Sequence, residues 1–207
     1  MALTKAPLFG LDASGSLGGS IVFSKWKGRT YVRRLSIPHN PKSGLQVGMR
    51  AGMKFITQDY KNLSATITGH WKTIADKTSV TPMNSQVSYG QKNIRLGKGL
   101  IQDPTAVAGT TPNVPATGSA TALPKSLSLV WTHPASNPGN YTTMIWRSTT
   151  TGFTPSTATL VAIVSQATLA YVDRALITGT PYYYRIAETN TDGTIGAMIA
   201  QFTGTPT

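Results

Sequence analysis

From residue 126 onward the apolar positions alternate. Leu127, Leu129 and Trp131 fall on one side of a period-two segment, the pattern of a half-buried strand. Turn-forming residues follow. Residues 141–148 are rich in β-formers, 160–164 and 170–173 are further short strands, and Tyr182, Tyr184 and Ile186 alternate again. Asp192-Gly193 offers a tight turn, after which 195–202 would close a sheet. Short strands with regularly spaced turn signals predict an all-β sandwich over 117–207.

The N-terminal half has a different rhythm. Residues 21–26 and 29–36 read as two strands joined tightly at Lys27-Gly28. Ile21 and Phe23 share one side of the first strand, and Val22, Ser24 and Trp26 share the other. A strand apolar on both sides wants cover on both, and a lone hairpin is marginal in water. Beyond Pro41 the period lengthens. Leu45, Met49, Met53, Ile56, Tyr60 and Leu63 recur at three- and four-residue steps, predicting a helix with Ser43 as N-cap and this stripe as its core face. Trp71, Ile74 and Ala75 predict a second helix; Val87, Gly90, Gln91, Ile94 and Leu96 predict a third, ending at Gly97 or Gly99. The fold class expected is mixed: an α+β module over 1–105, with a β-hairpin and short helices, followed by the sandwich. Between them 106–116, rich in Ala, Thr and Pro and free of charge, reads as a linker.

Charge sharpens this division. The chain has 207 residues and a formal net charge of +12. Residues 1–110 hold 15 Lys and Arg against four acids, and residues 111–207 hold four against three. Such asymmetry assigns the halves different tasks. The chain has no cysteine, which excludes disulfides and thiolate metal sites. No apolar run has signal-peptide length or approaches the ~20 residues that cross a bilayer. The expectation is a chain made in the cytoplasm, without export signal or membrane partner.

Two resemblances follow from particular residues. Leu176 followed by Gly179-Thr180-Pro181-Tyr182, with Trp131 upstream and Asn190 and Gly193 downstream, resembles the fibronectin type III domain. The resemblance implies that Trp131, Tyr182, Tyr184 and Ile186 are core residues and that Tyr182 is a corner tyrosine. Such a domain serves as spacer, display module or binding surface. Residues 18–33, then Pro38, Asn40-Pro41, Ser43 and Gln46 to Arg50, with Trp71, Asn84 and Asn93-x-Arg95 downstream, resemble an N-terminal module of tailed-bacteriophage and prophage proteins. That resemblance implies a virion-associated protein made in the host cytoplasm, with capsid or tail subunits, or further copies of itself, as partners.

Candidate chemistry is sparse. His39, His70 and His133 are isolated in the sequence, so no metal site is expected. The Gly-rich 14–20 and Gly97-Lys98-Gly99 lack the Lys-Ser/Thr ending of a phosphate loop and read as flexible connections. With seven scattered carboxylates and no nucleophile elbow, neither a catalytic group nor a cofactor is expected. The feature that asks for a function is the acid-free stretch holding Lys25, Trp26, Lys27, Arg29, Tyr31, Arg33, Arg34 and Lys42. Arginine and aromatic residues are favoured at protein interfaces. They also bind nucleic-acid backbones and stack bases. The reading favoured here is docking on a protein neighbour in a phage particle, as capsid decoration or tail accessory, with the C-terminal domain displayed. Nucleic-acid binding by the same hairpin is the alternative, and a glycan- or cell-surface-binding adhesin a weaker one.

Overall fold

The computed structural model describes residues 2–3, 14–26, 28–37, 39–107, 109–133 and 140–207. Lys27, the side chain of Trp26 and the turn over 134–139 lie outside the described residues. The chain divides into two compact units, Met1–Pro41 and Lys42–Thr207.

The first unit is a four-stranded antiparallel sheet of β1 (Ala2–Leu3), β2 (Gly15–Leu17), β3 (Ile21–Trp26) and β4 (Arg29–Arg34), in the order β1-β4-β3-β2. The expected hairpin is present, with Trp26 paired to Arg29 and Ile21 to Arg34. Its connection uses Gly28 at φ +77°, which a side chain would strain. The Gly-rich 14–20 is not a flexible connection. Leu17 pairs with Ile21, and Ser20 N–H donates to the Leu17 carbonyl across Gly18 and Gly19, both at positive φ. Positive φ at both central residues is what turns matching strand twist require.

The second unit has three layers. The helices are α1 (Gly44–Asp59), continued by a 3-10 turn over Tyr60–Asn62, α2 (Ala65–Asp76) and α3 (Pro82–Arg95). Ser64 and Thr81 cap α2 and α3, accepting from Ile67 N–H and Asn84 N–H, and Pro82 occupies the first turn of α3. Ser43 holds the N-cap position of α1, but its side chain makes no capping bond. Then come β5 (Thr117–Leu123), β6 (Ser126–Thr132), β7 (Asn140–Ser148), β8 (Leu160–Ser165), β9 (Ala170–Arg174), β10 (Tyr182–Asn190) and β11 (Phe202–Gly204). They form a three-stranded sheet, β5-β6-β9, and a four-stranded sheet, β11-β10-β7-β8. The closing strand is shorter than expected. Of 195–202, Ile195 makes only an isolated bridge to Thr189, and β11 starts at Phe202.

Leu127, Leu129, Trp131, Ile145, Leu176, Tyr182, Tyr184 and Ile186 fill the space between the sheets. A second core lies on the other face of the four-stranded sheet. There Met144, Trp146, Leu160 and Ala187 meet Phe55, Ile56 and Ile94 of the helices. The four-stranded sheet is thus buried on both faces, and the helices are its cover. This corrects the expected boundary: the division falls after Pro41, and the helices belong to one unit with the sandwich. Nor does 106–116 run free. Pro112 and Pro115 are buried, Gly109 N–H donates to Asp192, Thr110 O accepts from Asn190, and Ala116 N–H donates to Thr132. The lack of hydrophobic period reflects a strap laid along the sandwich, satisfied bond by bond.

Candidate docking surface

The register of β3 and β4 sorts the basic stretch onto two faces. Residues directly opposite in an antiparallel pair share a face. Arg33 is paired with Val22, and Tyr31 with Ser24, so Arg29, Tyr31 and Arg33 form one column. Lys25 is paired with Thr30, Phe23 with Val32 and Ile21 with Arg34, which places Lys25 and Arg34 on the opposite face. Leu17 joins that second face through its pairing with Ile21. The sheet therefore has one mixed face, where Arg29, Tyr31 and Arg33 stand opposite Trp26, Ser24 and Val22, and one more apolar face, Leu17, Ile21, Phe23 and Val32, edged by Lys25 and Arg34. Lys42 falls in the other compact unit. The expected docking set is brought together only in part, because alternation sends neighbours in sequence to opposite sides.

No apolar side chain among those described in this unit is buried. Among its described residues only Thr30 is buried, while Leu17 is 56% and Ile21 40% exposed. β1 pairs, among the described residues, with Tyr31 and Val32 of β4. Leu17 was missed as an apolar-face residue because the glycines around it concealed a two-strand alternation; the available signal was that Leu17, Ile21 and Phe23 keep one parity across the turn.

Two of the three histidines, His70 and His133, are engaged elsewhere. His70 Nδ1 lies 2.9 Å from Asp103 Oδ1 and 3.0 Å from Thr105 Oγ1, and that hydroxyl donates to Asp103 at 2.8 Å. A nucleophile relay needs hydroxyl and carboxylate on opposite ring nitrogens; here both meet one nitrogen. The cluster fastens 102–105 to α2, together with Trp71 Nε1–H donating to the Gln102 carbonyl at 2.8 Å. Burial raises the Asp103 carboxyl, but hydrogen bonds from Thr105 and His70 outweigh it and hold the group below the usual range. His133 is held by Glu188 at Nδ1 and the Gln166 carbonyl at Nε2. Among the described residues no group of three His, Cys, Asp or Glu is placed to hold a metal ion, and no helix is long and apolar enough to cross a membrane.

Two buried tyrosines yield a pH prediction. Tyr141 O–H donates to Asp59 and Tyr184 O–H to Asp173, each at 2.8 Å. Burial first, then the neighbouring carboxylate, pushes both phenols well above the usual tyrosine range. The unfolded chain ionises them near pH 10, whereas the folded chain keeps the protons. Their stabilising contribution is therefore intact below about pH 10 and declines as pH rises above it, by up to ~1.4 kcal/mol per pH unit for each. Urea unfolding at pH 9 and pH 11 should show that fall, and Tyr141→Phe or Tyr184→Phe should flatten it. An equally steep fall in both variants would show that the phenols are not its source.

No protein-family model and no curated protein matches the chain. Similar solved structures include a β-1,2-glucanase from Parabacteroides distasonis (17% identity, TM-score 0.42, covering 50% of this chain and 14% of that one). Others are the FN1–FN3 domains of chicken CNTN1 (18%, 0.40, 46% and 32%) and a two-domain fibronectin type III segment of chicken tenascin (19%, 0.38, 47% and 52%). The chain spans less than two thirds of each. The sandwich is fibronectin type III-like on its own geometry as well. It has three- and four-stranded sheets, Trp131 is buried at its centre, and Tyr182 O–H accepts from Ile177 N–H at 3.1 Å. That last bond is the tyrosine corner, tying a strand start to the backbone just upstream.

Proposed function

We propose that the chain is a non-enzymatic structural protein of an assembled particle. Its N-terminal sheet docks on a neighbouring subunit, leaving the 42–207 unit for display. The observation that carries this reading is the partly exposed apolar face of the sheet, where among the described residues Leu17 and Ile21 are exposed and Phe23 and Val32 half-buried. Apolar area removed from water contributes roughly 25 cal/mol per Å², so a neighbour that covers Leu17, Ile21, Phe23 and Val32 adds stability to this sheet. Lys25 and Arg34 at the rim ask for an acidic surround on that neighbour. The resemblance of residues 10–100 to modules of tailed-phage proteins supports a bacteriophage particle as the assembly. Capsid or tail subunits would be the partners, in many copies set by particle symmetry.

The test is incorporation. Purified particles should contain the protein in many copies. Ile21→Glu with Phe23→Glu should remove it from particles while leaving the melting of the 42–207 unit unchanged. Finding wild-type protein only in infected-cell lysate and never in particles would refute the proposal.

A second reading rests on the opposite face, where Arg29 and Arg33 flank Tyr31. Splitting the cations between faces lowers what nucleic acid could gain. Two or three phosphates neutralised on one face give a log–log salt slope of roughly −2 to −3 on duplex DNA; five or six would give roughly −4 to −5. Tight duplex binding at physiological salt, abolished by Arg29→Ala with Arg33→Ala, would favour this reading over docking on protein.

A further inference from the structure

A different surface, on the helical layer, is apolar and cationic at once. Leu45 is 59%, Met53 51% and Leu96 63% exposed, although the spacing of Leu45, Met49 and Met53 marks them for a core. Two adjoining hollows of about 440 and 480 Å³ lie along α1 and α3 and share Met49 and Arg95. Leu45 and Arg50 line one, and Lys92 and Leu96 line the other. Gln91 Nε2 donates to the Met49 carbonyl at 2.9 Å and ties the two helices together between them. No acid lines either hollow. α3 contains none, and Asp59, the only one in α1, sits at its last position and accepts from Tyr141. Arg50, Lys92 and Arg95 form no ion pair among the described residues.

The charge selects the occupant. A second copy carries the same cationic surface on a chain of net charge +12, and residues 1–41 are themselves basic, so neither complements the groove. A nucleic-acid backbone would satisfy the cations but leave Leu45 and Leu96 uncovered. We propose that the α1/α3 groove binds an amphipathic helix of another protein, with aliphatic residues on one face and Asp or Glu flanking them. The groove meets such a helix as known helix-in-groove sites do, with anchors at i, i+3/i+4 and i+7. Half-buried Met49, which lines both hollows, suits it, since its flexible side chain adapts to the partner's shape. The inference is independent of how the N-terminal sheet functions.

The probe is a fluorescein-labelled peptide with leucines at alternating three- and four-residue steps and glutamates elsewhere, titrated with the full chain. Its control is a peptide of the same composition in scrambled order. The patterned peptide should bind at least ~10-fold more tightly than the scrambled one. Arg50→Glu with Arg95→Glu should weaken it by at least ~10-fold, and Leu45→Gln with Leu96→Gln by at least ~5-fold, with thermal midpoints unchanged. Arg29→Ala with Arg33→Ala, on the N-terminal sheet, should leave binding within about twofold. Equal binding of the scrambled peptide, or indifference to Arg50→Glu with Arg95→Glu, overturns the proposal. So does a duplex oligonucleotide that binds more tightly than the peptide and displaces it, which would make the groove a nucleic-acid surface.

Discussion

Asp173→Ala should lower the unfolding free energy by about 2–3 kcal/mol, the cost of leaving a part-exposed guanidinium and a buried tyrosine hydroxyl without their shared carboxylate. Asp173 is 4% exposed, on β9 of the three-stranded sheet. Both its oxygens accept from Arg147 Nη1 at 2.8 Å, and Tyr184 O–H donates to Oδ2 at 2.8 Å. Arg147 and Tyr184 belong to β7 and β10 of the other sheet, so one carboxylate joins the two halves of the sandwich. Burial works against the Arg147 charge, but Asp173 more than compensates and keeps the guanidinium firmly ionised. Without Asp173 that charge, on a side chain 28% exposed, lies 5.4 Å from the Tyr182 ring without its counterion. Asp173→Asn keeps the shape and loses the charge, so it should cost less than alanine yet more than ~1 kcal/mol. Asp173→Leu combined with Arg147→Met should recover most of the loss, because replacing both partners leaves nothing buried and unpaired. Urea unfolding of the three variants beside the wild type decides; an alanine cost below ~1 kcal/mol would mean that water largely screens the pair.

The sandwich was legible because its strands follow one simple rule each. β6 and β10 bury every second side chain between the sheets, and the Leu176–Tyr182 corner has side chains that specify it. β7 hid more. Ile145 faces the sandwich while Met144 and Trp146 face the helices, so the strand is buried on both sides and its alternation fades. Apolar residues of both parities are the signal that something covers the outer face, and a strand identified by its β-formers alone does not reveal it. The docking surface was legible as a charge cluster but not as a geometry. Only the pairing of Leu17 with Ile21 and of Ile21 with Arg34 shows which cations rim the apolar face and which stand opposite it. The α1 stripe misled for a different reason. Its apolar spacing named Leu45 and Met53 as core, but its buried positions are Gly48, Gly52, Phe55 and Ile56. Hydrophobic periodicity cannot see a face that packs by having no side chain.

That glycine face gives the second large effect. Gly48→Ala should destabilise the 42–207 unit by about 2–3 kcal/mol, whereas Gly69→Ala should stabilise it by about 0.5–1 kcal/mol. Both positions are helical, and in a helix alanine is preferred to glycine by roughly 1 kcal/mol. Surroundings decide the sign. A methyl at Gly69 meets nothing within 4 Å. A methyl at Gly48 would lie 2.2 Å from the Thr157 carbonyl oxygen and 3.3 Å from Leu160 Cβ, at the start of β8. A backbone carbonyl cannot swing aside as the end of a flexible side chain can, so α1 itself must lift from the sheet. Lifting α1 opens the core where Phe55 and Ile56 meet Leu160 and Ile163. It also strains the 2.7 Å bond from Thr157 Oγ1–H to the Ile94 carbonyl, which ties the end of α3 to the same loop. The overpacking cost therefore exceeds the helix preference. Chemical denaturation of both variants in parallel is the measurement. If Gly48→Ala stabilises as Gly69→Ala does, the helix lies further from the sheet than these contacts require, and the outer face of β8 loses its cover.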